Sequence, residues 1–161
     1  MSVADATTYH ENHGDPTVWV NAVQADHEDA IRQATQYVDA KYGLRWKGVR
    51  SEADQALDWP RDSAYDRDGY PYDDDGAGLI PQPLVDAVCV LALKVLEGDD
   101  LFEDSNPGGE GSEGVLSERV KVGSIEEEIE YMGSKPTQKR YILAERLLSD
   151  LTDSKGEALR G

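Results

Sequence analysis

The segment IPQPLVDAVCVLALKVL, residues 80–96, limits the possible folds more than any other part of the chain. Proline in the opening turn of a helix costs no hydrogen bond, because the first amides of a helix have no partner within it. Residues 84–96 are then apolar on nearly every helical face. A helix of this kind must be covered on all sides, so we expect it at the centre of a mainly helical fold.

Two further helices are predicted from apolar residues at helical spacing. The first runs from about residue 26 to 42, with Asp26 as its N-cap and Gly43 as its stop. The second lies near the end of the chain and is marked by Tyr141, Ala144, Leu147, Leu148 and Leu151. The predicted fold class is therefore mainly α, a small core of about three main helices.

A short β-hairpin and long loops complete the prediction. Apolar and polar residues alternate over residues 116–131, and Gly123-Ser124 fits a two-residue turn between two strands. Residues 44–78 and 97–114 are rich in turn-forming residues, so we expect loops there, with one short helix at residues 51–56.

The length of 161 residues predicts a single folded domain. Residues 1–16 show no periodicity and are expected to form a flexible, extended N-terminal arm. The domain itself should span residues 17–152, followed by a flexible tail, residues 153–161. Its predicted core consists of Trp46, Trp59, Pro60, Leu84, Val88, Leu91 and Val95.

The charge of the chain argues against tight binding of nucleic acid. Acidic residues number 33 and basic residues 16, a formal net charge of −17. A DNA-binding surface must neutralise phosphates, which so acidic a molecule does poorly as a whole. The charge is also polarised, because residues 97–131 carry twelve acids and two bases, whereas residues 132–161 carry six bases and four acids.

No pattern in the sequence indicates an enzyme, a cofactor or a metal. The single cysteine, Cys89, lies inside the apolar segment, where a small buried hydrophobe is expected. The HENH run at residues 10–13 lacks the spacing that places two imidazoles on one helical face. The aspartates of residues 66–75 form no complete calcium loop, because no glutamate closes twelve residues.

Aromatic residues beside bases leave one nucleic-acid hypothesis open. Tyr42, Arg45, Trp46, Lys47 and Arg50 could stack on single-stranded DNA. The alternative is that the tryptophans are core residues with Lys and Arg stems laid over them.

Several motifs in a fixed order resemble one known family. They are Arg45-Trp46, then Gln55-Ala56-Leu57 with Trp59-Pro60-Arg61, then Ile80-Pro81, within residues 26–151. This order resembles head-tail adaptor proteins of tailed phages and prophages, also called connector or head-completion proteins. Members of this family are often labelled DnaT-like single-stranded-DNA-binding proteins. The longer N-terminal arm and the acidic stretch 97–114 depart from the family pattern.

The resemblance implies a non-enzymatic structural virion protein without cofactor or membrane contact. It implies a homo-oligomeric ring of about twelve copies under the portal protein, with a tail-proximal connector or stopper protein below. Packaged double-stranded DNA would pass through the channel without sequence-specific binding. The implied location is the neck of the virion, and the host cytoplasm before assembly. The alternative function is that of a DnaT-like single-stranded-DNA-binding protein.

Two sets of residues are candidates for contact with a neighbouring subunit or with portal. The first lies around the turn-rich loop, where Arg61 is expected to be free to pair with an acidic neighbour and aromatic side chains offer contact area: Arg61, Tyr65, Tyr70 and Tyr72. The alternative is an ordered surface loop that packs on its own subunit. The second is basic and belongs to the last helix: Lys139, Arg140 and Arg146. Because like-charged subunits repel, we expect an isolated monomer at low salt.

Overall fold

The computed structural model describes residues 1–72, 79–102, 118–122, 125–129 and 139–153. The chain divides into two compact units. The first holds the described residues up to Phe102 together with the segment that begins at Tyr141, and the second holds the strands between Glu103 and Arg140. The division into arm, adaptor-like domain and tail, with boundaries at residues 17 and 152, stays a prediction.

The first unit is built from five helices in chain order. These are α1 (Val3–Asn12), α2 (Thr17–Asn21), α3 (Gln24–Tyr42), α4 (Gln82–Leu96) and α5 (Ile142–Leu148), which continues into a short 3-10 turn, Ser149–Leu151. Helix α4 lies at the centre, in contact with α1, α2, α3 and α5. Pro81 is its N-cap and Pro83 lies in its first turn, as predicted. The mainly helical fold is confirmed.

The helix predicted at about residues 26–42 is confirmed as α3, but it begins at a different residue. It begins at Gln24, and its N-cap is Val23, so Asp26 occupies the first turn and not the cap. A carboxylate in the first turn still suits the positive end of the helix dipole. Gly43 is the C-cap, as expected, and the buried face includes Ala34, Val38 and Tyr42.

Helix α1 contradicts the expected extended arm over residues 3–12. The hydroxyl of Ser2 accepts a hydrogen bond from the Asp5 amide at 3.2 Å, and the Asp5 carboxylate accepts one from the Ser2 amide at 2.8 Å. This capping box satisfies two amide groups at the start of the helix. Ala6 and His10, four residues apart, are both buried, so α1 contributes to the core.

Residues 44–72 contain turns and two short strands, and the short helix expected at residues 51–56 is absent. Strand β1 (Val49–Arg50) pairs antiparallel with β2 (Arg61–Asp62), and Val49 lies opposite Asp62. The peptide bond between Trp59 and Pro60 is cis. The segment after α5 forms hydrogen bonds with this region. The Lys47 amide donates to the Leu151 carbonyl at 3.0 Å, and the Asp153 amide donates to the Arg45 carbonyl at 2.8 Å.

The second unit contains the predicted hairpin. Strand β3 (Glu118–Val122) pairs antiparallel with β4 (Ile125–Ile129), and Val122 lies opposite Ile125. The loop expected at residues 97–114 lies outside the described residues beyond residue 102, and so do residues 154–161 of the expected tail.

The predicted core residues are confirmed, with two of them less covered than the rest. Trp46, Trp59, Leu84, Val88 and Leu91 are buried, whereas Val95 and Pro60 are partly buried. Trp59 meets Trp46 edge to face at 5.8 Å between ring centres. None of the described helices is long and apolar enough to cross a membrane.

Candidate interaction surface

Arg61 is not free to pair with an acidic neighbour, which corrects the expectation from the sequence. Its guanidinium donates hydrogen bonds to main-chain carbonyl oxygens of Lys47 at 2.8 Å, Asp58 at 3.2 Å and Gly48 at 2.7 Å. The side chain is half-buried between the two short strands. Arg61 therefore stabilises the β1–β2 loop, since hydrogen bonds from a charged donor are stronger than neutral ones.

The tyrosines divide into two exposed rings and one that packs inward. Tyr70 is 70% exposed and Tyr65 48%, so both present contact area to solvent. Tyr72 is half-buried and packs edge to face on Trp59, with 6.4 Å between ring centres. Tyr72 therefore belongs to the edge of the core rather than to a projecting loop.

Residues 66–70, in the loop rich in Tyr and Asp, form a hydrogen-bonded turn. The Asp66 carboxylate accepts hydrogen bonds from the amides of Asp68 at 2.9 Å and Tyr70 at 2.8 Å. The Asp66 amide in turn donates to the Tyr70 carbonyl at 2.9 Å. Residues 73–78, which complete the loop predicted to project as a contact element, lie outside the described residues.

The basic set splits between the two units. Arg146 lies on α5 and is exposed, whereas Lys139 and Arg140 precede that helix and belong to the second unit. Ala144 and Leu148, on the other side of α5, are buried against the rest of the core. One side of α5 is therefore part of the core, and we expect removal of the chain after Pro136 to destabilise the fold.

The aromatic residues proposed for base stacking are covered by protein. Tyr42 and Trp46 are each 5% exposed, so neither ring presents a face to a nucleotide. The Arg45 guanidinium lies 5.6 Å from the centre of the Tyr42 ring, and the Lys47 ammonium donates to the Tyr65 carbonyl at 3.3 Å. The alternative is confirmed in part, because Trp46 and Trp59 are buried core residues.

Many other bases of the described residues are also engaged within the chain. Ion pairs join Arg32 with Asp29, Lys41 with Glu145, Arg67 with Asp150, and Lys94 with Glu97. The Lys41–Glu145 pair, at 3.1 Å, ties α3 to α5. These contacts leave few cations for a continuous track of phosphates.

A cleft at one end of α3 and α4 is a concave, mostly apolar feature that the sequence did not predict. It encloses about 160 Å³. We call it the Asp39 cleft, and its lining consists of Met1, Thr35, Val38, Asp39, Leu57, Trp59, Ile80, Leu84, Val85 and Val88. Three of these apolar residues are also substantially exposed, Leu57 at 50%, Met1 at 42% and Ile80 at 40%.

A second depression, the Leu44 groove, shares Asp39 with the cleft. It is lined by Asp39, Ala40, Gly43, Leu44, Val49, Arg50, Asp58 and Arg61. Leu44 is fully exposed and Val49 is 63% exposed. Exposed apolar side chains that adjoin a cleft mark a contact surface more often than scattered single ones do. The two depressions together form a candidate interaction surface with Asp39 at their boundary.

Asp39 is an acidic group in this otherwise apolar surface. Burial raises the pKa of its carboxyl, and the nearby Asp58 charge adds to this, while a hydrogen bond from the Asp58 amide acts in the opposite direction. That hydrogen bond measures 3.4 Å. No cation of the described residues forms an ion pair with Asp39. The cleft therefore combines an apolar cavity with an uncompensated carboxylate.

Gly43 allows the Asp58 loop to approach α3. A Cβ atom at position 43 would lie 2.8 Å from the Asp58 carboxylate and 2.8 Å from the Asp39 carbonyl oxygen. The Asp58 carboxylate could rotate away from a side chain at position 43, but the Asp39 carbonyl oxygen belongs to the main chain, so any other residue would strain the end of α3. The close approach keeps Asp58 beside Asp39.

The described residues contain no grouping of three His, Cys, Asp or Glu side chains that could hold a metal. Cys89 is fully buried, and burial raises the pKa of its thiol to about 12. A thiol of this kind is a poor nucleophile, because only the thiolate reacts readily.

Comparison with known proteins identifies the family. No curated protein and no solved structure matches the chain. One family model matches residues 1–161, and its description is "Putative DnaT-like ssDNA binding protein". The match spans the whole chain, including helix α1 and both depressions around Asp39. The chain therefore belongs to this DnaT-like family.

Proposed function

We propose that the protein is a non-enzymatic assembly subunit of a tailed-virus particle, the head-tail adaptor that its motif order resembles. In this role it joins a ring under the portal protein, extends the DNA channel and carries the next tail-proximal protein. The observation that carries the proposal is the Asp39 cleft with its exposed apolar rim, a surface suited to protein contact.

The charge of the chain suits this role. A ring of subunits that each carry a formal charge of −17 places acidic surface around its channel. Such a surface repels the DNA backbone, so double-stranded DNA passes without adhering. The same charge opposes assembly at low salt, and we infer that portal provides the template on which subunits collect.

The second candidate function is binding of single-stranded DNA, which the description of the family favours. The contacts of this chain support it less well. A binder of this class needs exposed aromatic platforms along a basic groove. Here Tyr42, Trp46 and Trp59 are buried, and Arg61 and Lys41 are engaged within the protein.

Quantitative mass spectrometry of purified virus particles tests the proposal. The chain should be present at about a dozen copies per particle, in a fixed ratio to portal. Particles made without it should contain DNA-filled heads that lack tails. Absence of the chain from purified particles, or tails that assemble normally without it, would overturn the proposal.

A further inference from the structure

We propose that the Asp39 cleft receives the exposed face of α5 from a second copy of this chain. Ile142 or Leu143 enters the apolar cavity, and Arg146 lies beside the Asp39 carboxylate. This inference rests on the proposed function, because it names the contact by which adjacent ring subunits recognise each other.

The exposed face of α5 is unusual for its apolar content. Ile142 is 59% exposed and Leu143 56%. Residues three and four positions apart are neighbours on the surface of a helix, so Arg146 lies beside both Leu143 and Ile142. The opposite side, with Ala144 and Leu148, is buried in the core of its own subunit. The helix therefore presents two large apolar side chains and one guanidinium to solvent.

The cavity has a suitable size for one of these side chains. It measures about 160 Å³ and is lined mostly by apolar residues. An apolar cavity of about 150 Å³ in another protein accommodates benzene, which is larger than the butyl group of leucine or isoleucine. Burial of such a side chain stabilises a contact, because it removes apolar surface from water. A single aliphatic side chain therefore fits and contributes usefully.

Charge complementarity selects α5 among the exposed apolar segments. Asp39 is half-buried in the cleft and lacks a cation from its own chain among the described residues. The Leu44 groove contains two bases, Arg50 and Arg61, and neither forms an ion pair with Asp39. Arg61 donates its hydrogen bonds to main-chain carbonyl oxygens. Arg146 of an incoming α5 would supply the missing charge, and a guanidinium matches carboxylate geometry well.

The two surfaces lie on different sides of α3. Thr35, Val38 and Asp39 line the cleft. Tyr37 and Lys41, on another side of the helix, contact Tyr141 and Glu145 of the C-terminal segment. A subunit therefore holds its own α5 away from its own cleft. A contact between unlike surfaces is heterologous, and repetition of it produces a ring when the rotation closes.

Site-directed cross-linking of the full chain tests the contact. The chain has one cysteine, Cys89, which is fully buried, so the unmodified protein should give no product. Variants Leu57→Cys and Leu143→Cys, each with a different tag, are mixed with a short bis-maleimide over a range of protein concentrations. The series is repeated at low salt and at about 0.5 M salt, where repulsion between acidic surfaces is screened.

The expected result is a Leu57→Cys to Leu143→Cys product that increases with salt, with far less product from either variant alone. Val20→Cys, an exposed α2 position that lines neither depression, should not cross-link to Leu143→Cys. Absence of the mixed product at every concentration and salt would overturn the inference. A product from Leu57→Cys with itself would also overturn it, since that result indicates an isologous pair.

A charge-reversal pair separates recognition from simple proximity. Arg146→Glu, on the exposed face, should lower the yield of the mixed product at least about threefold, and so should Asp39→Lys. Combining Arg146→Glu on one chain with Asp39→Lys on the other should restore the yield. A merely structural role for either residue predicts no restoration, and an unchanged yield with Arg146→Glu contradicts the assigned ion pair.

The outcomes distinguish this inference from the proposed function. If positions 57 and 143 cross-link but the chain is absent from virus particles, the contact is supported and the adaptor role is excluded. If the chain is present in particles but gives no such product, the adaptor role is supported and the contact is excluded.

Discussion

Arg61 binds the chain around Gly48 from the opposite strand, with its Nη2 atom 2.7 Å from the Gly48 carbonyl oxygen. Two further hydrogen bonds, to the carbonyls of Lys47 and Asp58, fix the guanidinium. This contact stabilises the β1–β2 hairpin, whose loop carries Leu57 and whose first strand carries Val49 at the candidate surface. We therefore expect the loop to depend on Arg61 more than on any exposed base nearby.

Replacement of Arg61 by alanine should lower the free energy of unfolding by about 1.5–3 kcal/mol, the range for hydrogen bonds to a charged group. Arg61→Lys should recover little, because a lysine cannot form three hydrogen bonds in a planar array. Urea denaturation measures the effect. Arg50→Ala, at an exposed neighbouring position, should change the free energy by less than about 0.5 kcal/mol. Equal midpoints for Arg61→Ala and Arg50→Ala would contradict the assignment.

Gly48 should tolerate no side chain. Its φ angle is +71°, and a Cβ atom would collide with the Asp62 carbonyl oxygen across the strand pair. Gly69 provides a matched control, because its φ is +86° but no atom lies within 4 Å of the Cβ position. Gly69→Ala should cost about 1 kcal/mol from backbone strain alone. Gly48→Ala should cost clearly more in the same denaturation assay, and similar losses would refute the clash.

His10 should make the docking of α1 sensitive to acid. The ring is 2% exposed and lies against Trp19, with 4.3 Å between ring centres. Burial lowers the pKa of His10, opposed by a hydrogen bond with the Cys89 backbone, and the charges of His13 and His27 lower it further. As the pH falls below about 6.5, His10 takes up a proton in the unfolded chain before it does so in the folded chain. Stability should therefore fall by at most about 1.4 kcal/mol per pH unit from this group.

Thermal unfolding followed between pH 7.5 and about pH 5 measures this dependence. His10→Phe should flatten the curve, since phenylalanine retains a ring against Trp19 and does not titrate. A slope that His10→Phe fails to reduce would show that another group is responsible.

The ionised carboxylate of Asp39 should lower the stability of the single subunit. A carboxyl whose pKa is raised on folding destabilises the folded chain above that pKa, and the cost disappears as pH falls. Asp39→Asn should therefore raise the melting temperature at pH 7 and lose this advantage toward pH 3. The same variant should weaken the cross-link between positions 57 and 143. A lower melting temperature at pH 7 would contradict the argument.

Tryptophan fluorescence should respond little to single-stranded DNA. All three tryptophans of the chain are buried, Trp19 at 2%, Trp46 at 5% and Trp59 at 4% exposed. Base stacking on an exposed tryptophan quenches its emission, and buried rings offer no such contact. We expect less than about 10% quenching by oligothymidine at low salt. Strong quenching that disappears as salt rises would instead support a DNA-binding function.

The central features of the fold could be predicted from the sequence because local pattern determines them. The run 84–96 is apolar on nearly every face, so its burial as α4 follows from the hydrophobic effect. The strands β3 and β4 follow from alternation around a Gly-Ser pair. Helix α1 was missed because its composition is polar. The spacing of Ser2 and Asp5, a capping box with aspartate in place of glutamate, was the available signal.

The candidate surface could not be predicted, because tertiary structure assembles it. Met1, Leu57 and Ile80 are distant in sequence and meet only when α3 and α4 pack. Arg61 was misassigned for a related reason. Its partners are main-chain carbonyls 13 and 14 residues away, and a sequence does not show where a carbonyl lies. The sequence also does not distinguish Tyr70 from Tyr72. Tyr70, in the turn at Asp66, is exposed, whereas Tyr72 packs on Trp59.

The most direct test of the central claim is size-exclusion chromatography with light scattering on the protein, alone and mixed with portal from the same virus, at low and moderate salt. The adaptor role predicts a monomer alone at low salt and a complex of many copies when portal is present. Failure to associate with portal under any of these conditions, together with a mobility shift on single-stranded DNA, would contradict it.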